Sequence, residues 1–151
     1  MLVISHRGYE NGEDSSLENN PKQIKKLLNM NINVEIDVLY NDGFFLGHDK
    51  PLYEVEMDFL KLDGLWCHAK NVEALEIMLQ NGIHCFWHET DKYTITSRGY
   101  IWAYPGMPLT SNSINVLPER YAKQFRKLDT CIGVCTDYPI KYIKGVKNGK
   151  Q

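Results

Sequence analysis

The sequence predicts an α/β fold: a compact, trimmed (β/α) barrel with a β-hairpin after its second strand. Three observations point there. Short apolar runs alternate with segments whose apolar residues recur at helical spacing. Asp42-Gly43 stands between two strand-like runs, a strong hairpin signal. The chain has 151 residues, enough for one domain with a real core but short of the ~200–250 residues of a complete eight-unit barrel.

Each element has its own signal. Leu2 to Ser5 predicts a strand. Asn20-Pro21 opens a helix, because proline is tolerated at the first helical position, and Ile24, Leu27 and Leu28 then share one face. Residues 33–39 and 44–47 predict the hairpin, and Asp58 to Leu62 a short helical turn. Leu65 to Lys70 predicts a strand. Asn71 caps a helix whose apolar face is Leu75, Met78 and Leu79, and Gly82 stops it. Ile83 to Trp87 and Tyr100 to Tyr104 predict strands around a polar loop or hairpin over 89–98. Ile114 to Leu117 predicts another. The 105–113 link is shorter than a parallel crossover needs, so an irregular or antiparallel strand is expected there. Pro118-Glu119 opens a helix with Tyr121, Phe125 and Leu128 on one side. Ile132 to Cys135 predicts the last strand and Pro139 to Val146 the last helix. One domain is expected over residues 1–146, with a frayed polar tail over 147–151.

Composition narrows the function classes. Apolar residues make up 43% and charged residues 24%, ordinary for a soluble globular chain. A net charge of −2 offers no basic field for nucleic acid or an anionic membrane. No run approaches the ~20 apolar residues of a membrane span. Met1 to Ser5 leads straight into the first polar motif, so it reads as core strand rather than targeting segment. Cys67, Cys85, Cys131 and Cys135 lie in or beside apolar runs. They read as buried free thiols in a reducing, cytoplasmic setting, not as a zinc site. A trimmed barrel leaves apolar side wall that a homo-oligomer would cover.

Polar residues in the first fifty positions carry the chemistry. In a strand, residues two apart face one side, so Glu35 and Asp37 point together while Val34, Ile36 and Val38 point the other way. Burying two carboxylates without a cation is costly, so a divalent metal is their natural partner. If Asp42 and Gly43 are the two turn residues, Asn41 pairs with Phe44, Leu39 faces Leu46, and Asp37 faces His48.

In order, the chain reads His6-Arg7-Gly8, Glu18-Asn19, Glu35-x-Asp37, Asp42-Gly43, His48-Asp49 and Thr136-Asp137-Tyr138-Pro139. This series resembles the glycerophosphodiester phosphodiesterase family, within the phospholipase-C-like phosphodiesterases of TIM-barrel type. The match is dense to residue 49 and thin between 72 and 130. The resemblance implies His6 and His48 as general acid and base, Arg7 as a phosphate clamp and Lys70 as a stabiliser of phosphoryl charge. It implies Glu35 and Asp37 as ligands of Mg²⁺ or Ca²⁺. His68 stands where that family has a third carboxylate, which makes Mn²⁺ or Zn²⁺ more plausible. Glu18, Asn19, His88, Trp102 and Glu119 are the candidates for substrate contact. The family's pocket insertion is missing, since only residues 50–64 separate Asp49 from the next strand. That suggests an open site and a small-molecule or polymer phosphodiester. Two other readings fit the same residues: a degenerate, non-catalytic barrel binding a phosphorylated ligand or partner, and a phospholipase-type lyase releasing a cyclic phosphate.

Overall fold

The structure is a computed structural model that describes residues 1–121 and 125–148. Its ten strands, β1 (Leu2–Ser5), β2 (Asn33–Tyr40), β3 (Phe44–Leu46), β4 (Tyr53–Val55), β5 (Leu65–Ala69), β6 (Cys85–Phe86), β7 (Tyr93–Ile95), β8 (Ile101–Ala103), β9 (Ser113–Val116) and β10 (Gly133–Thr136), belong to one sheet. The helices are α1 (Pro21–Asn29), the single turn α2 (Met57–Leu60), α3 (Val72–Gln80) and α4 (Pro139–Asn148). The expected polar tail begins inside α4, and its last three positions, 149–151, lie outside the described residues.

Seven strands form a parallel run in the order β6-β5-β2-β1-β10-β9-β8. β2 is its organiser. β5 pairs along it from Val34 to Val38, while β1 takes the start of its other edge and β3 the end. Its Val34, Ile36 and Val38 are all sealed against Ile24 and Leu27 of α1 and Ala74 and Met78 of α3. Both helices start where the side chains direct. Asn20 accepts hydrogen bonds from the main-chain N–H of Lys22 and Gln23, ahead of Pro21. Asn71 accepts from Ala74 and also holds both main-chain groups of Tyr40, which ties α3 to the end of β2.

The expected barrel is not what forms: the sheet is open. The polar 89–98 segment is the reason. It folds back as β7, antiparallel on β8, and so occupies the edge that β6 would need for closure. β6 is also only two residues long. Between these ends lie two hydrogen bonds joining Cys85 to Ser97 and a Phe86–Trp102 ring contact at 4.5 Å, but no ladder among the described residues.

Three further expectations are corrected. β9 is parallel to β8 despite the short 104–112 link, because that link runs as an irregular loop and needs no helix. The expected helix from Pro118 is a 3₁₀ turn over Pro118–Arg120, after which Tyr121 is extended; Phe125–Thr130 is a separate 3₁₀ segment. The hairpin is slipped by one residue from the expected register. Tyr40 pairs with Phe44 and Val38 with Leu46, because Asn41, Asp42 and Gly43 form a three-residue turn with Asp42 at φ 53°. Strand β4, which pairs with β3, has no counterpart among the elements the sequence predicts. Among the described residues no helix is long and apolar enough to cross a membrane. Cys67, Cys85 and Cys135 are free and buried, and Cys131 is free and half-buried.

Candidate active site

In open α/β sheets, ligands lie outside the carboxyl ends of parallel strands. Here that edge carries a cavity of about 250 Å³. It gathers residues following β1 (His6, Arg7), residues on β2 and β5 (Glu35, His68), and residues following β5 and β6 (Lys70, His88). His48 reaches it from the hairpin.

The left-handed backbone of Arg7-Gly8, directly after His6, builds the first part. Arg7 is at φ 52° and Gly8 at φ 82°, a pair of conformations that turns the chain sharply off the sheet and suits glycine at the second position. The turn brings the Arg7 main-chain N–H to Glu35 Oε2 at 3.1 Å and the Arg7 side chain to Asp37, Nε to Oδ2 at 3.2 Å.

Asp37 is sealed from solvent and Glu35 is 2% exposed. β2–β5 register sets Asp37 beside His68, and paired residues on parallel neighbours share a face. His68 Nδ1 lies 3.3 Å from Asp37 Oδ1 and 3.6 Å from Glu35 Oε1. Its Nε2 meets the His88 carbonyl oxygen at 2.8 Å. A carbonyl only accepts, so Nε2 carries the hydrogen. Nδ1 then either holds a second proton or presents a lone pair towards the carboxylates. Burial works against the imidazolium, but the Asp37 and Glu35 carboxylates outweigh it and raise the His68 pKa to about 9. Burial alone would raise Asp37; the His68 ring and the Arg7 guanidinium overcome that and hold its carboxyl well below the usual range.

The donor set fits a divalent ion. Ligand atoms of Glu35, Asp37 and His68 lie within 4.8 Å of one another. Asp37 Oδ1 is buried and makes no hydrogen bond among the described residues; its charged neighbours are His68 Nδ1 at 3.3 Å and Lys70 Nζ at 3.9 Å, and a cation would complete it. Two carboxylates and an imidazole suit Mg²⁺, Mn²⁺ or Zn²⁺.

Around this cluster, histidines are held by carboxylates. His6 Nδ1 meets Asp137 Oδ1 at 2.7 Å, His48 Nδ1 meets Asp49 Oδ1 at 2.6 Å, and His88 Nδ1 meets Asp91 Oδ2 at 2.7 Å. A carboxylate partner makes Nδ1 the donor, so each Nε2 is the acceptor in the neutral ring. None of the three Nε2 atoms has a hydrogen-bond partner among the described residues.

Not every expected residue reaches the cavity. His6, Arg7, His48, Lys70, His88 and Trp102 line it. Lys70 Nζ is 3.9 Å from Asp37 Oδ1. His48 arrives without facing Asp37 across the hairpin; Gly47 holds that place, its N–H donating to the Asp37 carbonyl at 3.1 Å. Gly47 adopts φ 151°, and a Cβ there would collide with the Lys50 carbonyl oxygen, so only glycine makes the bend that delivers His48. Asn19 is not a substrate contact: it is sealed from solvent and clamps Asp37 through its side-chain amide and carbonyl. Glu18 does not line the cavity; it lies 3.6 Å from Arg7 and accepts from the Tyr9 hydroxyl at 2.6 Å. Glu119 supports Asp137 instead, accepting from its main-chain N–H at 2.8 Å and from the Thr136 hydroxyl. Residue-type reasoning missed Asp137, Asp49 and Asp91 as partners of histidine. For Asp49 and Asp91 the signal was present, one and three residues after their histidines. Asp137 is 131 residues from His6, and nothing local links them.

The chain matches no protein-family model, no curated protein and no solved structure.

Proposed function

We propose that this protein is a metal-dependent phosphodiesterase acting on a glycerol- or sugar-linked phosphodiester. The observation that carries the reading is the buried Glu35–Asp37–His68 cluster, with an Asp37 oxygen that makes no hydrogen bond, opening onto a cavity lined by the carboxylate-held His6 and His48. Glu35, Asp37 and His68 would hold a divalent ion, whose chemistry is to neutralise the phosphate and polarise an attacking hydroxyl.

The chain's own residues do the rest. Asp137 and Asp49 keep the Nδ1–H of His6 and His48 engaged, so proton transfer falls to the two Nε2 atoms. His6 Nε2 takes the proton of the attacking hydroxyl (that of water, or a neighbouring hydroxyl of the substrate whose cyclic product water then opens) as its oxygen bonds to phosphorus. The ester bond on the far side breaks, and protonated His48 Nε2 gives its proton to the leaving alcohol. Arg7 and Lys70 lie beside Asp37 and supply positive charge for the phosphoryl oxygens.

Hydrolysis of bis(p-nitrophenyl) phosphate and glycerophosphocholine, each with Mg²⁺, Ca²⁺, Mn²⁺, Zn²⁺ or EDTA, tests the reading. Metal-dependent turnover that disappears in His6→Ala is expected. Metal uptake without turnover of any diester would replace it with a phosphate-binding protein. Phosphorus NMR separates an open monoester product from the cyclic phosphate of a lyase.

A further inference from the structure

Arg120 lines the cavity and takes no part in the steps above. It follows β9, and a strained turn places it there. Leu117 adopts a left-handed conformation at φ 47°, an outlier for a bulky side chain, and strain of this kind gathers at functional sites. The turn puts Leu117 and Arg120 in the cavity wall, while Glu119 between them accepts from the Thr136 hydroxyl and the Asp137 N–H. Arg120 Nη2 meets Glu13 Oε1 at 2.9 Å and lies 3.8 Å from Asp137 Oδ2. Arg7 and Lys70 both stand at Asp37. Strand β1 separates β2 from β10, so these cations form two groups, one on each side of His6. A phosphate on the Glu35–Asp37–His68 cluster meets only the first. The Glu13 side chain is 66% exposed and that of Arg120 49%. An ion pair so wet contributes little, so an incoming anion can replace Glu13.

We infer that Arg120 determines specificity: it exchanges Glu13 for a second oxyanion, a carboxylate or a phosphate, carried by the alcohol of the bound phosphate ester. The guanidinium decides the class. It keeps its charge at any working pH, and its planar fork matches two oxygens of a carboxylate or phosphate. An uncharged alcohol offers no such match, and Arg120 then stays on Glu13. Glu13 thereby sharpens the choice, because a ligand must bring its own negative charge to displace one already in place. The inference rests on the phosphate-handling reading of this cavity. It adds a requirement for a second charge, which a glycerol or sugar linkage does not contain.

The experiment is calorimetric binding in Mg²⁺, with ethyl phosphate against phosphoglycolate and propyl phosphate against 1,3-propanediol bisphosphate. The proteins are the wild type, Arg120→Gln, Arg120→Lys and Glu13→Gln. In the wild type the doubly anionic member of a pair is expected to bind about tenfold tighter or more, as a charge-assisted hydrogen bond contributes. Arg120→Gln brings that ratio to within about twofold of unity and leaves the alkyl phosphates within about twofold of wild type. Arg120→Lys keeps part of the ratio, since an ammonium lacks the fork. Glu13→Gln raises it about threefold, because the competing carboxylate is gone; an ion pair that only braced the fold would give no such gain. Discrimination in one pair alone names the oxyanion. A carboxylate or phosphate that chelates the metal instead would keep its advantage in Arg120→Gln, and that result overturns the inference. So does Glu13→Gln that fails to raise the ratio, or Arg120→Gln that weakens all four ligands alike. A wild type that binds the alkyl phosphates without discriminating removes the inference and leaves the phosphate-handling reading; one that binds none of the four removes both.

Discussion

Of the three histidine–carboxylate pairs at the cavity, those of His6 and His48 are built in opposite ways. His6–Asp137 joins the ends of β1 and β10, neighbouring parallel strands, with side chains 14% and 5% exposed. Glu119 and Thr136 secure Asp137 from behind. His48–Asp49 sits on the bend after β3, with side chains 31% and 91% exposed, and its carboxylate belongs to the next residue in the chain. The sheet makes one pair rigid and buried; a glycine bend makes the other local and wet. Orientation at the first depends on the whole fold, and at the second on Gly47.

That contrast can be broken at the element both pairs serve. Asp37→Ala removes the oxygen that anchors the cluster and leaves Glu35 as the one buried carboxylate facing Arg7 and His68. We expect metal affinity, measured by calorimetry, to fall by more than about 100-fold and diester turnover by about 10³-fold or more. Metal affinity within a few-fold of wild type would show that the cluster is not the metal site.

The pairs themselves separate next. Asp137→Asn disturbs the tautomer of a buried base and should lower kcat by about 10²–10⁴-fold. Asp49→Asn touches an exposed pair, of the kind worth about 0–1 kcal/mol, and should change kcat by less than about threefold. Equal losses would erase the distinction between sheet-held and hairpin-held histidines.

Gly47→Ala sharpens it further. The added methyl group meets the Lys50 carbonyl at a φ that only glycine adopts freely, so the hairpin must shift. A loss of about 3–4 kcal/mol in unfolding free energy is expected, with kcat falling with it. Metal uptake at Glu35, Asp37 and His68 is retained in the fraction that folds. Unchanged thermal stability would mean the bend is tolerant.

A separate effect lies away from the cavity and serves as the contrast to its paired histidines. His84 is 5% exposed and faces the Thr96 hydroxyl at 3.0 Å, not a carboxylate. Burial, with some help from Arg98, lowers its pKa from 6.5 to about 4. The unfolded chain therefore binds the extra proton between those values. This contribution is fully present above about pH 6.5 and is lost as pH falls towards 4, up to about 3 kcal/mol in all. Denaturant unfolding at pH 7 and pH 4.5 reads it, and His84→Leu should flatten that step. If His84→Leu keeps the pH dependence of the wild type, the step belongs to other groups.

Much of this was legible in the chain. The alternation that puts Glu35 and Asp37 on one face and Val34, Ile36 and Val38 on the other follows from the two-residue period of a strand, and each side chain sits as that period requires. Asn20-Pro21 and Asn71 start their helices because capping is a contact within a few residues. Gly82 ends α3 for the same local reason, at φ 66°.

What tertiary structure decided is whatever depends on two distant segments agreeing. The hairpin register turned on whether Asp42 would take a left-handed conformation, a choice made jointly by the turn and by both strands. Asn19 carries no sign that it will clamp Asp37, and Asp137 none that it will hold His6. Closure of the sheet was a competition for one edge of β8, and the β7 hairpin, only a few residues away, took it from a β6 too short to compete. Local sequence sets periodicity, caps and turns, because those energies act within a few residues; the open sheet and the company each histidine keeps are long-range contacts, and only the folded chain supplies the partner.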